Sequence, residues 1–284
     1  MMKKYDFVAV VKAVNCNPNG DPLNEGRPRT NMMGYGEISA ECIKRKIRNR
    51  IQDMGGSIFV QSDSRCEDGF KSLKERASSV GALEKAFKAK DNVSAAEIAC
   101  ETWMDVRLFG QVFAYGGGVS VGVRGAVSIC HSQSISPVTV KDVQITKSTN
   151  GEPPKKKAST EESGGLKSSD TMGCKYLVEN AIYTIKGSIS PLSCKKNGVM
   201  EEDIEMLKRA LITLFENDES SARPSGSMEV VQVYWFEQDE KDYKPTAKIF
   251  NLVEVNDDGT STVAALPDGV VMKELVDIRT GSVL

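Results

Sequence analysis

Residues 5–14 read YDFVAVVKAV, a β-branched and aromatic run with Phe7, Ala9, Val11 and Ala13 on one side and Val8, Val10 and Val14 on the other. This pattern predicts a central, largely buried strand. The residues that follow, NCNPNGDPLNEGRPRT (15–30), supply turns and positive φ and forbid regular pairing, so they predict a long loop. A helix can start at Ser39, with Glu41 in its first turn and Ala40, Ile43, Ile47 and Ile51 down one face, until Gly55-Gly56 stops it.

Further along, 61–92 is polar and weakly patterned, and Ser94 can cap a helix running towards Arg107. After a Gly-rich turn at 116–118, VSVGVRGAVSI (119–129) reads as one strand. Its glycines at 122 and 125 weaken a strand unless another backbone or a ligand must approach closely there. From about 141 to 170 the composition shifts to Lys, Ser, Thr, Pro and Gly, an excursion from the core. Residues 176–189 alternate as a strand, 200–217 place Ile204, Leu207, Leu211, Leu214 and Phe215 at helical spacing, and MEVVQVYWF (228–236) is a last strand. With the excursions set aside, the order is strand, helix, strand, strand, helix, strand. This predicts an α+β, ferredoxin-like βαββαβ fold, the layout that also underlies the RNA-recognition module.

A chain of 284 residues with 40% hydrophobic content can bury a sizeable core without disulfides. Its early apolar stretch contains Lys12 and is far too short to span a bilayer, which predicts a cytoplasmic protein. Seven cysteines without a C-x-x-C pair read as reduced thiols, and the single histidine, His131, removes every mechanism that needs two imidazoles. No metal or cofactor is expected. The net charge of −2 hides an uneven distribution: residues 1–50 hold ten Lys/Arg against five Asp/Glu, and 201–284 hold eight against eighteen. Such lopsidedness can draw unlike regions of neighbouring copies together.

The densest basic run is IKRKIRNR (43–50), where the isoleucines would face the sheet and Lys44, Arg45 and Arg48 would project on the other side as a rail for a phosphate backbone. The bland alternative is a solvated helix face, but no acid is interleaved at i,i+4. Arg27 and Arg29 add two forked donors in the preceding loop. Asn15-x-Asn17-x-Asn19-Gly20 imitates half a calcium loop, yet position twelve falls on Gly26 and Pro18 stiffens the turn, so a polar loop is the better reading. Asp21 is a lone loop carboxylate without the second acid or metal partner that phosphodiester cleavage needs. Cys16 reads as a small buried residue and His131 as structural or surface.

The segments NPNGDP (17–22), ISAECIKRKIRNRI (38–51), DVRLFGQVFA (105–114), GVRGAVSI (122–129), ITKS (145–148), TMGCK (171–175) and FENDESSARPSGSM (215–228), in this order, resemble the backbone subunit of the type I-C CRISPR Cascade complex, in the RAMP superfamily. The resemblance covers nearly the whole chain. It implies an RRM-like palm with a finger-like insertion (53–118) and a thumb hairpin (141–174), stacked head to tail in several copies along a guide CRISPR RNA. Target DNA is then met through the guide, beside other Cascade subunits, in antiviral defence. Carried onto this sequence, the resemblance implies RNA contacts at Arg27, Arg29, Lys44, Arg45, Arg48 and Arg124, with Lys147 and Met172 in the thumb, and no catalysis. Related RAMP backbones cut RNA with a loop aspartate, so the alternative is a metal-dependent ribonuclease using Asp21.

Overall fold

The structure, a computed structural model, describes residues 3–115, 120–146, 172–239 and 242–275. The chain first forms β1 (Lys4–Cys16), β2 (Tyr35–Ile38) and α1 (Ala40–Asp53). A helical insertion follows, with α2 (Leu73–Ser79), α3 (Gly81–Ala89), α4 (Asn92–Thr102) and α5 (Met104–Phe109), closed by β3 (Gly110–Phe113) and β4 (Val121–Arg124). Then come β5 (Val127–Ile129), β6 (Ser132–Pro137), β7 (Val140–Thr146), β8 (Met172–Ile189), α6 (Pro191–Asn197), α7 (Glu201–Ile212) and β9 (Met228–Gln238). The last elements are α8 (Thr246–Phe250), β10 (Val253–Val255), β11 (Ser261–Val263) and β12 (Val270–Glu274).

The main sheet runs β12-β9-β1-β8-β6-β2, and its pairings are antiparallel. Its middle order, β9-β1-β8-β6 with α1 and α7 packed on one face, is the ferredoxin-like arrangement. Phe7 and its alternates join Ile43, Ile47 and Ile51 of α1 and Ile204, Leu207 and Leu211 of α7 in the principal core. The Phe7 ring faces Gly187, where any Cβ would collide with it, and stacks on Trp235 at 5.7 Å. Val8 and Val10 point the other way, into a second layer with Ile182, Tyr234, Phe236, Ile249 and Val270. This sheet is therefore covered on both faces over much of its area, the second by α8 and the β10-β11 hairpin.

β8 acts as the ruler of the molecule. Along one edge it pairs in turn with β7 near Met172–Val178, with β6 at Tyr183–Thr184 and with β5 at Gly187–Ile189. The strand expected from Tyr176 thus begins four residues earlier, because β7 supplies an antiparallel partner from within the excursion.

The insertion corrects several expectations. Residues 61–92 contain a short 3-10 helix (Asp63–Arg65) and the helices α2 and α3, and Asp91, whose side chain accepts from the Ser94 amide, caps α4 where Ser94 was expected to. The insertion has its own core around Phe59, Leu83, Trp103, Phe113 and Val121. The single strand expected over 119–129 is two, β4 pairing with β3 and β5 joining the main sheet. The break has a steric cause: a Cβ on Gly125 would run into the Phe109–Gly110 backbone, and Gly110 itself has φ 76°. The close approach at Gly125 is therefore to this chain's own backbone, and the space above Gly122 is open.

Two buried ion pairs tie the insertion to the sheet-packed helices. Asp105 of α5, fully buried, accepts from Arg48 Nε of α1 at 2.8 Å and from the Phe59 and Val60 amides at 2.7 and 3.2 Å. Arg107 of α5 binds Asp203 of α7 through two nitrogens, at 2.7 and 3.0 Å. No helix among the described residues is long and apolar enough to cross a membrane.

Candidate nucleic-acid interface

Ser39 caps α1 as expected, accepting from the Cys42 amide, and the loop before it is internally braced. Asn17 donates to the Gly26 carbonyl at 2.7 Å, and the Asn19 side chain accepts from the Ser39 amide at 2.9 Å. The asparagines that imitate a calcium loop thus serve as struts. Gly26 closes on Asp21 by amide to carbonyl at 2.8 Å, which makes a tight turn out of 21–27.

Arg27 leaves this turn and reaches the β7-β8 hairpin. Its two terminal nitrogens donate to both carboxylate oxygens of Asp142 at 3.1 Å, and its guanidinium lies 3.9 Å from the centre of the Tyr176 ring. The Tyr176 hydroxyl in turn donates to Glu25 at 3.0 Å. Loop and hairpin are consequently one unit at this end of β8. Arg29 lies beside Asp21, at 3.4 Å, and its Nε is buried without a partner. Asp21 also accepts from the Leu23 amide, so its carboxylate braces the loop.

The basic helix is not the open rail that its sequence suggests. Arg45 donates to the Val60 carbonyl at 2.6 Å, and burial pushes its guanidinium down from its ordinary value. Arg48 is held by Asp105, as above, and Lys46 is buried against Asp218, where desolvation again lowers the ammonium. Lys44 alone of the proposed trio is half-exposed with no bonded partner among the described residues. The physical reason is the insertion, whose entry (57–60) and α5 lie over the far side of α1.

Arg124 is exposed at the end of β4, and its carbonyl accepts from Asn197 at 2.8 Å. It belongs to the opposite end of the molecule from Arg27. β5 starts three residues later and pairs with Ile189, whereas Arg27 touches Tyr176. Tyr176 and Ile189 are thirteen residues apart along β8, about 40 Å at roughly 3.3 Å per residue. The structure therefore brings Arg27 and Arg29 together, lays Lys44 along the helix, and leaves Arg124 at the far pole. Lys147 lies outside the described residues, and of Met172 only the backbone is described, paired with Thr146.

Sequence reasoning missed Tyr176, Asp142 and Lys196. Tyr176 and Asp142 are adjacent across the hairpin, a register that no local pattern carries. Lys196 is exposed beside Arg124, around a groove of about 240 Å3 between α4, β4 and α6. Cys16 is buried, and burial pushes its thiol up. His131 stands half-exposed, 3.5 Å from Glu37. No group of three or more His, Cys, Asp or Glu that could hold a metal ion occurs among the described residues.

The sequence matches the family model described as CRISPR-associated protein Cas7 over residues 3–273. A curated relative, the CRISPR-associated protein Cas7 of Haloferax volcanii, is 23% identical over 297 aligned positions, covering 97% of this chain and 82% of its own. The fold is similar to a chain of a solved CRISPR RNA-guided surveillance complex in its pre-nicking state, with TM-score 0.51 and 15% identity, over 85% of this chain and 80% of that one.

Proposed function

Because the chain belongs to the CRISPR-associated Cas7 family, we propose that it is a non-catalytic subunit of an RNA-guided surveillance complex of the type I-C Cascade kind. In this reading it works in the cytoplasm, holds a guide CRISPR RNA, and stacks with further copies head to tail along it. Target DNA is reached by pairing with the guide, and other Cascade subunits complete the complex.

The observation that carries the reading is the spread of the cations. Arg27 and Arg29 at one end and Arg124 at the other, with Lys44 on α1, share no pocket among the described residues, and their spacing suits an extended polyanion better than a small ligand. Arg45 and Arg48 serve this path by fixing the insertion beside α1. The 53–118 insertion is the finger, and 141–174 is the thumb, with Lys147 contacting phosphate and Met172 wedging between bases. Asp21 bracing its own loop supports the non-catalytic role.

Labelled guide RNA should bind with log affinity falling linearly against log salt, and should stay intact when divalent metal is added. Metal-dependent cutting that disappears in Asp21→Ala would replace this reading with the ribonuclease one.

A further inference from the structure

One stretch of the main sheet has a strand on only one side. β9 pairs with β1 from Met228 to Gln238, but β12 covers its outer edge only from Tyr234 to Gln238, with a last bond from the Leu275 amide to the Val233 carbonyl at 2.9 Å. Among the described residues no strand follows beside Met228–Val231. An open strand edge invites pairing. Alongside it, where α7 ends, runs a groove of about 330 Å3 lined by Ile212, Phe215, Met228 and Val230, with Glu216 and Glu229. Ile212 and Met228 belong to the principal core, so the groove is a thin place in the cover of that core.

Direction, pattern and phase each bear on what fills it. β12 runs antiparallel to β9, from Val270 opposite Gln238 to Glu274 opposite Tyr234, so it points along the open edge towards Met228. Met228 is five positions before Val233, roughly 17 Å at 3.3 Å per residue, which residues 276–280 can span when extended. Those residues read VDIRT: the β-branched Val276, Ile278 and Thr280 alternate with Asp277 and Arg279, and Gly281 ends the run. Leu275 is buried in the principal core, and Met272 packs on the second layer. The same alternation carried on would put Asp277 and Arg279 on the α7 side and Val276 and Ile278 on the other, where Val231 packs. Glu216 has no ion-pair partner among the described residues. The cations nearby are placed otherwise: Arg50 donates to Thr213 at 2.7 Å and lies 3.8 Å from Asp53, and Lys12 is the cross-strand partner of Glu229.

We propose that residues 276–280 of this chain continue β12 along the open edge of β9 and fill the groove, with Arg279 against Glu216. Asp277, on the same face, then comes level with Arg209, which is exposed one turn before Thr213. A strand so placed completes the outer side of β9 and covers the core beneath Ile212 and Met228. The assignment stands apart from the RNA-holding reading and is tested on the chain without RNA.

The experiment is hydrogen–deuterium exchange read by mass spectrometry on the full chain. In wild type the amides of 228–231 and of 276–280 should both exchange slowly, at a rate independent of protein concentration. Arg279→Glu and Glu216→Arg should each speed both segments by about two- to fivefold, the worth of a surface ion pair, and the double variant should return both to near wild type. Ile278→Asp places a charge against the second layer and should speed 228–231 by about tenfold or more, while α7 exchanges as before. Fast exchange of 228–231 in wild type would overturn the proposal, as would protection there that Ile278→Asp leaves intact. A double charge reversal no slower than its single parents would remove the Arg279–Glu216 contact on which the register depends. Protection that vanishes on dilution would give the groove to the same segment of a second copy and overturn the intramolecular assignment.

Discussion

Arg27 shows how one side chain can be both legible and misread. Its place in a Pro/Gly-rich loop marks it as an available cation, but Asp142, the carboxylate that holds it, lies 115 residues later and becomes a neighbour only through the β7-β8 register. Asp142 occupies the two-oxygen position that a phosphate would take at the same guanidinium. The pair is partly exposed, at 35% and 55%, and such surface pairs are worth no more than about 1 kcal/mol. Asp142→Asn should therefore raise RNA affinity by about two- to fivefold and steepen the salt slope, as measured by filter binding across a salt series. An unchanged affinity would mean that Arg27 only braces the hairpin. Asp105 sits at the other extreme, since it is fully buried and accepts three bonds. Asp105→Ala should cost about 3–5 kcal/mol in urea unfolding, because Arg48 and two amides lose their acceptor together.

At the scale of elements, α1 was readable in its capping, its apolar face and its stop, all of which are local. Its outer face was not, because what covers that face arrives from residues 57–60 and 105 by tertiary packing. The same limit explains the split of 119–129: alternation does not reveal that two halves of one apolar run pair with different sheets. The consequence for α1 is a separable prediction. Lys44→Ala should leave stability unchanged and reduce the slope of log RNA affinity against log salt by about 0.7, whereas Arg48→Ala should cost about 3 kcal/mol or more in denaturant unfolding by stranding Asp105. Within the insertion, Arg76 holds the Asp68 carboxyl at about 2, below its ordinary value. A depressed carboxylate stabilises above its unfolded pKa, about 3.9, and that contribution is lost as pH falls through the folded value. Trp103 fluorescence in a Trp235→Phe background should show the insertion weakening between those two values, and Asp68→Asn should remove that part of the pH dependence.

For the whole molecule, the short second core strand, β6 (Ser132–Pro137), went unread in favour of 119–129, while the other three core strands and both core helices could be read from their period. The cover on the second face of the sheet could not, since 242–275 is made of a five-residue helix and short strands with little periodic signal. That cover bears on the proposed RNA-holding role. In the RNA-recognition module, bases are read by stacking on the sheet face opposite the helices. Here Ile249 of α8 and Val253, Val255 and Val263 of the β10-β11 hairpin lie against much of that face, with Phe250 and Leu252 packed beside them. In the proposed role, a subunit whose reading surface is shut is illiterate by construction: it would grip a strand without registering its letters. Guides of equal length and unrelated sequence should therefore bind with equal affinity, so that one unchanged protein serves every new guide a cell acquires.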